Sequence, residues 1–226
     1  MADMRCAVIL AGGAGRRMGT DKSILQFEGR PLIERSAERL LEVVDQVVVV
    51  ARDRDQADLL QELVPGAVMA VDPVRGYGPL AGLLAGMARA SGEYAFATGC
   101  DLPFLNPRVI EALFERAMGY DGAVPEGRGL PEPLHAVYRR ARMEEACREA
   151  MERGSRRISS TFGDLRIRFV DLEELREMDP ELLTFFNVNT LEDLKRAEMA
   201  RSDSQTMPPR TSGRRSGSCS GGTKSS

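Results

Sequence analysis

The sequence predicts one α/β domain wound on both faces of a mostly parallel sheet. Three observations predict it. Short apolar runs alternate with helical patterns along most of the chain, the arrangement of repeated strand–helix–strand units. One of those runs, Gln46-Val47-Val48-Val49-Val50-Ala51, is continuously apolar after its first residue, as a strand covered on both faces must be. The first run, Ala7-Val8-Ile9-Leu10, opens directly into a long loop rich in glycine and cations that ends at Lys22.

The elements follow in order. A strand is expected over Arg5 to Leu10, then the glycine loop, then a turn at Gly29. Pro31 suits a first helical position, and Ile33, Ala37, Leu40, Leu41 and Val44 repeat at helical spacing after it. The valine run is the second strand, Ala57 to Val64 a short helix, and Val68 to Val71 a third strand ending at Asp72. Pro79 opens a helix whose inner face is Leu80, Leu83, Leu84 and Met87. Tyr94 to Thr98 is a fourth strand, followed by Gly99-Cys100-Asp101-Leu102-Pro103, and Asn106 caps a helix that begins at Pro107. Beyond it, strands are expected at Asp121 to Val124, Pro133 to Tyr138 and Leu165 to Val170. Helices are expected over Arg140 to Arg153 and after the capping pattern Thr190-Leu191-Glu192-Asp193, with a further short helix opening at Gly154 to Ile158. Residues 1–200 make the domain; from Arg201 the chain is Ser, Gly, Pro and Arg, too polar to offset its ordering entropy, and reads as a disordered tail over 201–226.

Length, charge and cysteine usage bound the function. At 226 residues the chain can bury a real core. A net charge of −3 argues against a general nucleic-acid binder, which would carry a basic surplus. Four scattered cysteines and a single histidine, His135, make a zinc site or disulfide framework a poor fit. No apolar stretch is long enough for a signal peptide or a membrane span, so a cytoplasmic enzyme with no membrane partner is the expectation.

The chemistry is read from the strand ends. In doubly wound sheets ligands bind beyond the carboxyl ends of the strands, and the glycine loop, Asp72 and Asp101 each directly follow a strand. The loop matches neither of two common phosphate motifs. Lys22 follows Asp21 rather than glycine, so there is no Walker A pattern. Gly13 and Gly15 begin a G-x-G-x-x-G fingerprint, but Met18 occupies its third glycine position, which weakens a nicotinamide-binding reading. What remains is a loop whose backbone N–H groups and cations cradle phosphates. Asp101 then reads as a magnesium ligand, because magnesium takes one or two carboxylates plus substrate phosphates. Asp72 is a second contact or an ordinary turn residue. Lys22 and Arg16 would offset charge on a triphosphate and on departing pyrophosphate. No Ser-His-Asp or Cys-His set is evident, and none is required if the nucleophile is already an anionic phosphate. His135 reads as a packing or substrate-contact residue on a strand edge.

Leu10-Ala11-Gly12-Gly13 through Arg17-Met18-Gly19-Thr20-Asp21-Lys22 resembles the motif of sugar-nucleotidyltransferase-like enzymes, and within them most of all the molybdenum cofactor guanylyltransferases. The likeness continues at Gly78-Pro79-Leu80-Ala81-Gly82, Cys100-Asp101-Leu102-Pro103-Phe104 and Phe186-Asn187-Val188-Asn189-Thr190. It implies a Rossmann-like, GT-A-like nucleotidyltransferase fold. It implies transfer of GMP from GTP to molybdenum-bound molybdopterin with magnesium and release of pyrophosphate, and contact with other proteins of molybdenum cofactor biosynthesis or with acceptor proteins. By that resemblance Leu10, Ala11, Gly12 and Gly13 lie at the guanine nucleotide, Lys22 at its phosphates, Asp72 at GTP, and Asp101 at both GTP and the metal. Gly78, Pro79 and Leu80 belong to the same binding set. Asn187 and Asn189 fall on the pterin side, and Gly154 to Arg157 contacts the pterin phosphate. Two departures stand out: Val50 where a nucleotide-contacting asparagine is common, and Leu191 in place of proline. A cytidylyltransferase acting on the same pterin is the nearest alternative. Those relatives carry Ala-Ala-Gly and Pro-Lys where this chain has Ala11-Gly12-Gly13 and Asp21-Lys22, which favours GTP. A nucleotide-binding regulator without turnover is a different class, against which Lys22 and Asp101 speak.

Overall fold

The computed structural model describes residues 4–12, 21–74 and 76–206. The chain runs β1 (Arg5–Leu10), a hairpin of β2 (Gln26–Phe27) and β3 (Arg30–Pro31), α1 (Leu32–Leu41), β4 (Gln46–Ala51), α2 (Arg54–Leu63), β5 (Val68–Val71), α3 (Pro79–Arg89), β6 (Tyr94–Gly99) and α4 (Pro107–Ala117). It continues through β7 (Gly122–Gly127), β8 (Leu130–Pro131), β9 (His135–Arg139), α5 (Arg140–Glu152), β10 (Ile167–Asp171), the short α6 (Leu172–Leu175) and α7 (Leu191–Thr206). The main sheet has the order β10-β7-β9-β6-β1-β4-β5, with β8 paired to β7.

Period-two alternation along the central strands builds the two-sided core. Ala7 and Ile9 of β1, Val47 and Val49 of β4 and Phe96 of β6 turn to one face, against Ile33, Ala37 and Leu40 of α1, Leu60 of α2 and Val109, Ile110 and Leu113 of α4. Cys6, Val8, Val48 and Val50 turn to the other, against Leu80, Leu83 and Met87 of α3 and Met143, Ala146 and Cys147 of α5. The expected double winding is therefore the observed one. Helix α3 lies so close to β1 that a Cβ on Gly86 would fall 2.3 Å from Val8 Cγ1. Leu41, expected on the inner face of α1, points outward at 54% exposure, because Leu40 already fills the inward position one residue earlier.

The sheet is mostly parallel, as expected, with one antiparallel strand in its interior. Strands β1, β4, β5 and β6 pair in parallel, as do β7 and β10. Strand β9 runs antiparallel to both β6 and β7. The tight turn at Arg128 and Gly129, both at positive φ, folds β8 back onto β7 and sends the chain into β9 in that direction. His135 therefore sits in an interior strand, 1% exposed, and not on an edge within reach of substrate.

A third, smaller cluster ties the chain's ends together. Leu25, Phe27 and Leu32 pack on Val188 and Ala197, with Phe104 and Phe186 alongside. It joins the segment after Lys22 to the segment holding Asn187 and Asn189. Helix α7 runs to Thr206, past the Arg201 boundary of the expected tail; residues 207–226 lie outside the described residues.

Candidate active site

The carboxyl ends of β1, β4, β5 and β6 form one rim, and Ala11, Gly12, Asp72 and Asp101, singled out from sequence, stand along it. Ala11 and Gly12 follow β1, Arg52 and Asp53 follow β4, Asp72 follows β5, and Asp101 follows β6. Because β9 runs the other way, its amino end, preceded by Glu132, reaches the same rim beside β6.

At the centre of the rim, Lys22 meets Asp101. The ammonium of Lys22 lies 3.0 Å from Asp101 Oδ2 and donates to Asn189 Oδ1 at 2.7 Å. An ammonium carries three N–H donors, and among the described residues Lys22 uses two of them. Both side chains of the ion pair keep about a fifth of their surface in solvent, 18% for Lys22 and 22% for Asp101. Asn189 is brought there by the main chain: the N–H of Val188 donates to the Asp101 carbonyl at 2.8 Å. Three residues far apart in sequence thus converge. Asn187 does not join them; it is exposed and donates to the carbonyl of Phe185 within its own segment.

The approach to Lys22 is fixed by a set of hydrogen bonds that sequence reasoning missed. Asp21 caps the short helical turn Lys22–Ile24, accepting from the N–H and hydroxyl of Ser23. Its other oxygen accepts from Arg52 Nη1 and Gln56 Nε2, each at 2.7 Å. The same Gln56 amide donates to the Ala11 carbonyl at 3.1 Å, while its Oε1 accepts from the Arg52 N–H at 2.8 Å. Gln56 is 2% exposed, so one buried side chain joins the end of β1, the start of α2 and the residue before Lys22. The only sequence cue is Asp53-x-x-Gln56, which resembles a capping box; Asp53 does accept from the Gln56 N–H.

Several expected contacts fall differently. Leu80 and Ala11 are fully buried, so their side chains belong to the core and only backbone could face a ligand. Leu10 is half-buried against the α3 side of the core, close to Gly82. Val50 of β4 is buried against α3, and Arg52, just past the strand, is the side chain at the rim. Gly12 packs over the Arg52 backbone, where a Cβ would come within 3.2 Å. Asp72 is half-buried; its Oδ1 accepts from the Val74 N–H, and loss of solvent pushes its carboxyl pKa up. It lies two strands from β1 and makes no described contact with Lys22 or Asp101. Gly13 and Arg16 lie outside the described residues.

A second grouping lies around α3. Gly78 adopts φ 125°, a conformation that favours glycine, and Pro79 follows at the first helical position. A Cβ on Gly78 would sit 3.3 Å from the Arg156 carbonyl, the Arg156 guanidinium lies over the Tyr77 ring at 5.4 Å, and Tyr77 Oη donates to the Met151 carbonyl. The Gly154-Ser155-Arg156-Arg157 turn is thereby seated against the loop that enters α3, with Arg156 and Arg157 exposed. Half-buried Glu132 has its carboxyl pKa raised by desolvation. Among the described residues no cluster of three or more His, Cys, Asp or Glu side chains is arranged to hold a metal ion. No described helix is long and apolar enough to cross a membrane.

Residues 7–166 match the family described as the MobA-like NTP transferase domain. The chain belongs to that family. As a MobA-like NTP transferase it is 40% identical over 199 residues to a probable molybdenum cofactor guanylyltransferase of Methanosarcina mazei, covering 84% of this chain and 88% of the relative. It is 37% identical over 200 residues to a molybdenum cofactor guanylyltransferase of Desulfosudis oleivorans, covering 88% and 96%. Among solved structures, molybdopterin-guanine dinucleotide biosynthesis protein A of Archaeoglobus fulgidus superposes with a TM-score of 0.77 at 34% identity, covering 88% of this chain and all of that one. A nucleotidyl transferase of Methanothermobacter shares the fold at TM-score 0.70 and 19% identity. The rim just described is thus the candidate active site of a nucleotidyltransferase.

Proposed function

We propose that this nucleotidyltransferase transfers GMP from GTP to molybdenum-bound molybdopterin, forming the molybdopterin guanine dinucleotide cofactor and pyrophosphate. The observation that carries the reading is the meeting of Lys22, Asp101 and Asn189 on the rim of a chain whose relatives are named for that reaction. GTP lies on the β1 side, with the Gly12 backbone toward the nucleotide and Asp72 at its far edge. Lys22 directs its third N–H to a phosphate oxygen. The pterin lies on the other side of Asp101, with its phosphate toward Arg156 and Arg157 and with Asn187 and Asn189 along its flank.

The residues present suit a magnesium ion. Asp101 offers hard carboxylate oxygens, and Gly99 leaves the room they occupy: a Cβ there would fall 2.6 Å from Asp101 Oδ1. One carboxylate with substrate phosphates is a common magnesium donor set, and it asks for no cluster of protein ligands. Bound there, the ion would offset negative charge on the phosphates. The reaction itself asks little acid–base chemistry of the chain. An oxygen of the pterin's phosphate, already anionic, forms a bond to the α-phosphorus of GTP as the bond from that phosphorus to pyrophosphate breaks. Lys22 stabilises the growing charge on the departing group, and Asn189 keeps Lys22 aimed. The product passes to proteins that use the cofactor, in the cytoplasm, without nucleic acid or membrane.

The test is transfer from labelled nucleotides. Pure protein with magnesium and molybdopterin should incorporate GMP in preference to CMP, and D101A should abolish incorporation while the far-UV spectrum stays unchanged. Preferential CMP transfer would overturn the choice of nucleotide, and full activity of D101A would remove Asp101 from the reaction.

A further inference from the structure

His135 and Thr184 have no place in the chemistry above, yet both are fully buried polar residues beneath it. The loop from Asp101 to Asn106 and the segment from Thr184 to Val188 run past each other and are joined at both ends. At one end the Val188 N–H donates to the Asp101 carbonyl at 2.8 Å. At the other the Asn106 N–H donates to Thr184 Oγ1 at 3.1 Å. The Asn106 side chain adds a bond to the Met178 carbonyl, and the Thr184 N–H donates to Asp179 Oδ2 at 2.8 Å. Thr184 Oγ1 also lies 3.2 Å from His135 Nε2.

That last contact orients the whole set. The hydroxyl accepts from the Asn106 N–H and is paired with Nε2, with the ring's tautomer deciding which of the two donates, while Nδ1 is buried without a described partner. The ring is gripped edge-on by Phe96 at 5.0 Å and tilted against Phe185 at 4.5 Å. His135 is itself fixed on β9, opposite Thr98 of β6, three residues before Asp101. The imidazole is thus a rigid post. It holds Thr184, and Thr184 holds the far end of the segment whose near end carries Asn189 to Lys22.

We propose that His135 and Thr184 are positioning residues for the acceptor half of the site. They touch no substrate. They fix the 184–188 segment against the Asp101 loop, so that Asn189 meets Lys22 and the pterin side is preformed before the acceptor arrives. This assignment of the acceptor half rests on the function proposed above.

The experiment compares T184V, T184S and H135F with the wild type in three measurements: GTP affinity by titration, steady-state transfer with GTP and acceptor varied separately, and hydrogen exchange at the Val188 amide. T184V leaves Asn106 N–H and His135 Nε2 unpaired. It should raise the acceptor KM and lower kcat together by tenfold or more, change GTP affinity less than threefold, and speed Val188 exchange at least tenfold. T184S, which keeps the hydroxyl, should restore all three. H135F keeps the ring packing and should move the same parameters in the same direction, and the T184V/H135F double variant should be no worse than T184V alone. Wild-type kinetics in T184V, failure of T184S to rescue, or a fall in GTP affinity in step with turnover would each overturn the proposal. If the wild type transfers no nucleotide, the proposed function fails. Val188 exchange then decides the positioning role alone: faster in T184V and restored in T184S supports it, and unchanged in T184V overturns it.

Discussion

Replacing His135 should make the protein less sensitive to acid. Burial holds the imidazole pKa down at about 3, against about 6.5 for the free side chain. Above pH 6.5 the group is neutral in both folded and unfolded chains and contributes no pH dependence. Below it the unfolded chain takes up a proton that the folded chain refuses, so stability falls as pH drops from 6.5 toward 3. The loss from this one group is about 2 kcal/mol at pH 5 and about 3 kcal/mol at pH 4. The flanking rings of Phe96 and Phe185 carry no charge, and the nearest ionisable group in the network, Asp179, reaches His135 only through Thr184. The assay is urea denaturation of wild type and H135Q across pH 4 to 8. Carboxylates titrate alike in both, so the difference curve isolates the only histidine in the chain. H135Q should start less stable at pH 8, where a well-packed ring is lost, and close the gap as pH falls. Two parallel curves would refute the argument, because they would mean that His135 takes up its proton equally in the folded and unfolded chains.

Two further substitutions test the packing that positions the site. In Q56E the new carboxylate cannot donate to the Ala11 carbonyl and faces the Asp21 carboxylate, so thermal melting should show a loss of about 2–4 kcal/mol with a raised KM for GTP, and the deficit should shrink below about pH 5 as the introduced acid protonates. In G86A the added methyl would meet Val8 Cγ1 and Val50 Cγ2, costing about 1–3 kcal/mol against the helix propensity it gains; V8A should relieve that cost, and strict additivity of the two changes in urea melts would show that the contact is not the cause.

What was legible in the sequence was what depends on local pattern. The valine run of β4 could only be a strand covered on both faces, and Pro79 and Asn106 mark helix starts by their own stereochemistry. The strand-end rule then placed Asp101 on the same rim as the glycine loop without any knowledge of contacts. What was hidden depends on pairing across long separations. The direction of β9 follows from how it meets β6, and nothing in Pro133 to Tyr138 records it. Leu80 sits in a segment resembling a binding motif, yet its spacing with Leu83 and Met87 already marked it as core, and the core requirement wins. Val50 is the same case: on a strand buried on both faces, a side chain near the end still faces a helix, and the first residue free to face a ligand is the one past the last pairing, Arg52.

The two halves of the site are therefore built by different means. On the side proposed for the nucleotide, one buried glutamine gathers the end of β1, the start of α2 and Asp21, all within the first 56 residues, so the approach to Lys22 takes shape from contacts of modest sequence separation. On the side proposed for the acceptor, Asn189 reaches Lys22 across 167 residues, and only because Val188 is pinned to Asp101 and Thr184 to Asn106. Closing so long a loop costs entropy that the Lys22 contact alone, partly exposed to water, would offset poorly. The buried set of Val188, Phe27, Leu25 and the His135–Thr184 bond supplies the difference. Damage to that set should consequently loosen acceptor binding before it loosens GTP.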